Sequence, residues 1–349
     1  MEKLFFGKTG KGEEASLITL TNKNGMRVSV TDLGATLVAA CVPDGKGVLT
    51  DVILGYREAK DYETYGGFFG AVIGRSGNRI GKAEFELNGK VYHLEKNEKG
   101  NNLHSGSSGF DKRIWKTELL EAENAVRFTL ESPDGDEGYP GNMTASVTYT
   151  LTEDNGISLH YQAKADADTI ANMTNHSYFN LAGHERQGDI CDHVLWLDAD
   201  SFTPTDEESI PTGEIRSVKG TPFDFTSPKQ IGLEIDSDYE QIVKGGGYDH
   251  NFVLNHQGEG IRKIAEVTLP SAGRKMEVFT DLPGVQFYAG NFIGEEKTGK
   301  GGVHYGKRQG LCLETQFYPD AIHHENFPGP VLKAGELYDT TTIYRFTAE

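Results

Sequence analysis

Asn-Gly and Asp-Gly pairs punctuate this chain at Asn24-Gly25, Asp44-Gly45, Asn88-Gly89, Asp134-Gly135 and Asn155-Gly156, each near short runs of strand character. Such dipeptides supply the positive φ angles of tight hairpin turns, so the runs on either side become antiparallel neighbours. Residues 17–21 and 26–31 alternate apolar and polar side chains around the first pair. Residues 83–87 and 91–94 flank the third pair, and 145–151 and 157–163 flank the last. Further strands are expected over residues 114–120, 125–130, 194–197, 252–254, 265–269, 275–280, 286–290 and 310–315. Helical patterning is confined to residues 57–65 and 228–243. Closely spaced strands with turn chemistry between them predict an all-β chain, a large antiparallel β-sandwich, rather than alternating βαβ units. The 43 Gly, 15 Tyr and 18 Phe among 349 residues fit that class. No Pro- or Ser-rich linker and no repeat of fixed period divides the chain, so residues 1–349 read as a single domain.

Charge narrows the partners. The formal net charge is -18, whereas nucleic-acid phosphates call for clustered Lys and Arg. The same balance disfavours anionic membrane surfaces. Met1-Glu2-Lys3-Leu4-Phe5-Phe6 lacks the long apolar stretch of a signal peptide, and no run elsewhere is long enough to cross a membrane. Cys41, Cys191 and Cys312 are widely spaced and form no CxxC pair, which points to a reducing compartment. The expectation is a soluble cytoplasmic protein without nucleic-acid or membrane partners, as a monomer or homodimer.

The chain has no Walker A loop, no GxSxG elbow and no cofactor fingerprint. Instead, polar residues are scattered among apolar or Gly-rich strand ends. Asn78-Arg79 follows the run from Gly70 to Gly74, and His104 lies in Asn101-Asn102-Leu103-His104-Ser105-Gly106. His176 is surrounded by Asn175, Ser177, Tyr178 and Asn180, Asp249-His250 follows three glycines and Tyr248, and Gln286 sits between Val285 and Phe287. Glu314 shares a strand face with Cys312, while Leu311 and Leu313 point the other way. A carboxylate on the face of a cysteine, in a strand with no other charge, is not a typical solvated position.

Ordinary readings stand beside these. A lone Glu in a strand is often an edge residue in an ion pair, and a lone His in a loop is usually polar surface. Arg79 would serve equally as a structural ion-pair partner, and Asp249-His250 as a turn. His323-His324 read as a solvated loop, because adjacent side chains on a strand point apart. Trp115 and Trp196 read as core.

At these residues the chain resembles the aldose 1-epimerase (galactose mutarotase) family, nearly end to end. The motifs run in order through Asp32-Leu33-Gly34-Ala35-Thr36, Gly77-Asn78-Arg79-Ile80, Leu103-His104 with Gly109-Phe110-Asp111-Lys112, and Asn175-His176-Ser177-Tyr178-Phe179-Asn180-Leu181. They continue through Tyr248-Asp249-His250, Pro283-Gly284-Val285-Gln286-Phe287-Tyr288, and Glu314-Thr315-Gln316 with Tyr318-Pro319-Asp320. The resemblance implies a supersandwich fold, no cofactor and no metal, and a free monosaccharide such as D-glucose or D-galactose as substrate. It implies Glu314 as the base at the anomeric hydroxyl and His176 as the acid at the ring oxygen. His104 would bind and polarise that end of the sugar, and Asn78, Arg79, Ser177, Tyr178, Asp249 and Gln286 would hold the other hydroxyls. Ser76-Gly77 and Ser105 depart from the family pattern, and are expected at the pocket rim.

The chemistry is self-consistent: one base and one acid on the hemiacetal suffice to open and reclose the ring. A Glu near its ordinary pKa of ~4.3 is ionised at neutral pH, and a His near ~6.5 is expected to be held protonated by a neighbouring carboxylate, Asp249 or Glu314. Alternatives remain at this level. A glycosidase would use Asp249 and Glu314 as paired carboxylates. A non-catalytic carbohydrate-binding protein would need neither as acid or base. A metal enzyme would use His104, His176 and a carboxylate. A hexose-6-phosphate 1-epimerase would need a basic cluster, for which only Arg75 and Arg79 lie near the motifs.

Overall fold

The computed structural model describes residues 1–186, 188–294 and 298–348. Its strands assemble into antiparallel sheets, as the turn chemistry predicts. A nine-stranded sheet runs in the order Lys116–Leu120, Ala125–Ser132, Met143–Leu151, Gly156–Ala165, Leu337–Ala348, Arg274–Thr280, Arg262–Leu269, Val194–Leu197, Lys229–Gln230. A five-stranded N-terminal sheet comprises Glu2–Lys8, Glu14–Thr21, Arg27–Thr31, Thr36–Pro43 and Leu49–Asp51 in chain order. A second five-stranded sheet contains Asp249–Val253, Gly284–Tyr288 and Cys312–Gln316 as adjacent strands.

Alternation builds the core between these layers. Met143, Ala145, Val147, Tyr149 and Leu151 point inward from one strand, and Ile157, Leu159, Tyr161, Ala163 and Ala165 from the next. They join one apolar cluster that extends from Ile18 to Phe346. The Cys312–Gln316 strand is fixed to the large sheet from behind. Tyr344 Oη donates to the Leu313 carbonyl at 2.9 Å, and the Thr315 and Thr342 hydroxyls bond at 2.5 Å. The back face of that strand is thereby held by the core, and its front face is free to carry chemistry.

Three expectations need correcting. The helix expected over residues 228–243 is only Glu240–Gly245; before it come the strand Lys229–Gln230 and a 3-10 turn, Ile231–Leu233. The short helix expected at 57–65 forms over Ala59–Tyr65. Asp249-His250 is no turn but the start of a strand. Trp115 is core, whereas Trp196 is only partly buried on the outer face, where it donates to the Thr226 carbonyl.

Candidate active site

The front face of the Asp249–Val253, Gly284–Tyr288 and Cys312–Gln316 strands supplies half of a cavity. Register places Asn251, Gln286 and Glu314 side by side, with Asp249, Tyr288 and Cys312 as the neighbouring row. The other half comes from loops and short strands bearing Phe68, Asn78, Arg79, Glu98, Leu103, His104, His176 and Tyr178. Together they enclose about 320 Å³.

Each imidazole is held by its own backbone. His176 follows the short strand Thr174–Asn175, which pairs with Val72–Ile73. Its N–H donates to the Ala71 carbonyl at 2.9 Å, and its carbonyl accepts from Gly70 N–H at 2.8 Å. His104 ends the strand Asn102–Leu103, paired with Arg79–Ile80. His104 N–H donates to the Asn78 carbonyl, and Asn78 N–H donates to His104 Nδ1, both at 3.0 Å. Phe68 packs against both rings, stacked on His176 at 5.7 Å and edge-on to His104 at 4.7 Å, and the two imidazoles meet edge-on at 5.4 Å. Phe68, Asn78 and His104 all have left-handed backbones, at φ 59°, 58° and 53°, a conformation that costs about 1–3 kcal/mol and gathers at functional sites.

Glu314 and His176 meet at the cavity wall, with Nε2 to Oε1 at 3.7 Å and residue exposures of 2% and 5%. Glu314 Oε2 accepts no hydrogen bond from the described protein. Burial raises the Glu314 carboxyl well above its usual range, with Asp249 adding to the rise and Arg79 opposing it. Burial also lowers His176 to about 4. Burial therefore keeps the His176 ring uncharged at neutral pH, contrary to the expectation of a protonated ring. His176 Nδ1 faces the Cys312 thiol at 3.5 Å, not a carboxylate. Burial pushes the Cys312 thiol up as well.

The donor set bears on metal binding. Ligand atoms of His104, His176 and Glu314 lie within 4.8 Å of one another. Because His104 Nδ1 accepts from a backbone N–H, the neutral ring carries its proton on Nε2. Neither nitrogen then offers a lone pair to a cation unless the Asn78 bond breaks. The arrangement suits an N–H donor aimed at a sugar oxygen better than a metal ligand.

The remaining expected residues divide. Asp249 and Gln286 line the cavity, and Gln286 Nε2 donates to Asp249 Oδ1 at 2.7 Å. Burial raises the Asp249 carboxyl, against the pull of Arg79 and Gln286. Asn78 lines the cavity, but its Oδ1 accepts Arg79 N–H. Tyr178 presents its ring, since its hydroxyl donates to the Gly67 carbonyl at 3.2 Å. Ser177 is not brought to the cavity; its hydroxyl turns to Asn175 Oδ1 at 2.5 Å. Ser76 and Ser105 do not form the rim either, but bond to each other behind it. Arg75 is buried and donates to the carbonyls of Ser132, Pro133, Pro140 and Gly141, so it is structural. His323 is exposed and His324 half-buried, as a solvated segment predicts, and both face Asp320, at 2.6 and 3.6 Å.

Sequence reasoning missed other groups. Glu98 grips Arg79 with two bonds, to Nε at 2.9 Å and Nη2 at 3.0 Å. Gln316 Nε2 donates to Asn251 Oδ1 and Gln286 Oε1, which fixes which end of the Gln286 amide faces Asp249. Phe68 was signalled by the run Gly66-Gly67-Phe68-Phe69-Gly70, a flexible backbone around bulky rings. For Glu98 no local signal exists.

The fold and the site define a class: a large antiparallel β supersandwich with a buried carboxyl–imidazole pair in a polar cleft of monosaccharide size. A profile of the aldose 1-epimerase family matches residues 16–345. The chain is 46% identical over 323 residues to galactose mutarotase of Bos taurus, covering 92% of this chain and 91% of that protein. It is 41% identical over 340 residues to aldose 1-epimerase of Escherichia coli K12, covering 97% of each. Among solved structures, an aldose epimerase homologue from C. elegans superposes with a TM-score of 0.88 at 29% identity, over 96% of this chain and 99% of that one. Galactose 1-epimerase from Lactobacillus acidophilus gives 0.86 at 28%, over 100% and 99%. The chain belongs to the aldose 1-epimerase family. It is an aldose 1-epimerase (mutarotase), an isomerase that interconverts the anomers of free aldoses. Among the described residues no helix is long and apolar enough to cross a membrane.

Proposed function

We propose that Glu314 is the base and His176 the acid of anomer exchange, with D-galactose and D-glucose as substrates. The observation that carries this reading is the buried Glu314–His176 pair, 3.7 Å apart, with Glu314 Oε2 left without a protein donor. Glu314 takes the proton of the C1 hydroxyl, His176 gives one to the ring oxygen, and the C1–O5 bond breaks. The aldehyde turns about C1–C2, and the reverse transfers close the ring on its other face.

Proton bookkeeping suits the burial. The charged pair (carboxylate and imidazolium) and the neutral pair (carboxylic acid and imidazole) hold the same number of protons. Ring opening converts the first into the second by way of the sugar. Desolvation favours the neutral pair, which accompanies the open-chain aldehyde. With a cyclic sugar bound, O1–H donates to Glu314 and O5 accepts from His176, and Arg79 favours the carboxylate. These are the interactions that the charged pair requires. His104 directs its Nε2–H at the same end of the sugar, while Asp249, Gln286, Asn78 and Arg79 hold the other hydroxyls.

Polarimetry on freshly dissolved α-D-galactose and α-D-glucose tests this. Wild type should speed the approach to equilibrium rotation and release no reducing sugar from a methyl galactoside. Failure on both aldoses, or glycoside cleavage, rejects the reading.

A further inference from the structure

Arg79 is the one Lys or Arg among the described residues lining the cavity, and it faces three carboxyl groups there: Glu98, Asp249 and Glu314. Its side chain is 12% exposed and that of Glu98 24%. Burial works against the Arg79 charge, but the Glu98 fork and the fields of Asp249 and Glu314 outweigh it, so Arg79 is firmly protonated. Two of its N–H groups, on Nε and Nη2, are spent on Glu98. Glu98 is itself set in place by a tight turn, with Glu98 N–H to the Asn101 carbonyl at 3.2 Å and Asn101 N–H to the Glu98 carbonyl at 2.8 Å. That turn leads directly into Asn102–Leu103, the strand paired with Arg79–Ile80. The partner carboxylate is therefore built into the wall that carries the guanidinium. Lys112 lies behind Phe68, its Nζ 5.5 Å from that ring and paired with Asp111 at 2.9 Å.

From this geometry we propose that Glu98 is a specificity-determining residue that closes the sugar site to hexoses bearing an anionic group. A bidentate carboxylate is the strongest ordinary partner of a guanidinium. An incoming sugar phosphate or uronate must displace it, or accept a cavity whose carboxyls outnumber its cation. Neutral hydroxyls meet no such barrier, since they bond the remaining Arg79 N–H groups without displacing Glu98. The proposal rests on the reading of Arg79 as a sugar-binding residue.

The test compares wild type, Glu98→Gln and Glu98→Asp at low ionic strength. Mutarotation of α-D-galactose is set against that of galacturonate and of glucose 6-phosphate, and calorimetry measures the binding of each. Removing one charge beside the ligand should raise the anionic-to-neutral ratio of kcat/KM by roughly tenfold or more. Added salt should shrink that gain. Glu98→Asp keeps the charge and should keep the discrimination. A merely structural Glu98 would lower both substrates together in Glu98→Gln and leave the ratio unchanged, which overturns the proposal. Binding reads the gate without turnover, so an acid–base pair that proved inert would not mask the result. If galacturonate gains and glucose 6-phosphate does not, the gate acts on carboxylates alone and the proposal of a general anion barrier fails.

Discussion

At the residue scale the site is governed by desolvation. The same burial that raises Glu314 lowers His176, so each group is pushed towards its uncharged form. Protonating the neutral pair disables it on the acid side as pH falls through about 4, the His176 value. Losing the shared proton disables it on the alkaline side, above the ordinary carboxylate range. A bell-shaped kcat/KM profile is therefore expected, its limbs belonging to the pair rather than to either residue. Glu314→Gln and His176→Asn should each lower kcat by about 10²–10⁴-fold, checked by polarimetry on folded protein. Glu314, His176, His104, Asp249 and Gln286 were legible because each is a polar residue in an apolar or Gly-rich stretch of a motif. Ser177 does not line the cavity, for adjacency in sequence says nothing about which way a side chain turns. Glu98 was invisible because its partner Arg79 lies 19 residues away, on the far side of a hairpin.

At the element scale, the strand carrying Glu314 owes its placement to bonds from behind, and the loop carrying His176 to Gly70 on the facing segment. Gly70 has φ +71°, and a Cβ there would stand 2.0 Å from the Leu37 carbonyl oxygen. Gly70→Ala should therefore destabilise the fold by about 2–4 kcal/mol in denaturant unfolding. It should also slow catalysis, because Gly70 N–H holds the His176 carbonyl. The hairpins were legible from their turns, with strand ends displaced by a few residues. Leu337–Ala348, the longest strand, was not anticipated. Its inward row is Tyr338, Thr340, Thr342, Tyr344 and Phe346, and two hydroxyls in that row blur the apolar alternation. Thr36–Pro43 was missed for a different reason: it is buried on nearly both faces and so shows little alternation.

At the scale of the whole molecule, buried polar groups tie the sheets together and set the response to acid. Arg75 joins the Gly74–Gly77 segment to the carbonyls of four residues on other segments. Arg75→Met should cost roughly 3 kcal/mol or more, because those buried acceptors lose their donor. His176 at about 4 and His250 at about 3 are both lowered by burial. A histidine with a depressed folded-state pKa binds fewer protons than the unfolded chain does below the unfolded value of ~6.5. Stability is then complete above that value and declines as pH falls towards the folded values. The raised Glu314 and Asp249 carboxyls act in the opposite sense, so the histidine part is isolated by comparison: from pH 7 to pH 4 wild type should lose more of its urea midpoint than His250→Asn does. The central claim is that a frame of three sheets holds one acid–base pair that moves a single proton through the sugar. Magnetisation exchange between the α and β H1 signals of D-galactose at equilibrium tests it most directly, with wild type, Glu314→Gln and His176→Asn compared at equal concentration. Fast exchange is expected with wild type, and exchange close to the uncatalysed rate with both variants. Full exchange with either folded variant would contradict it.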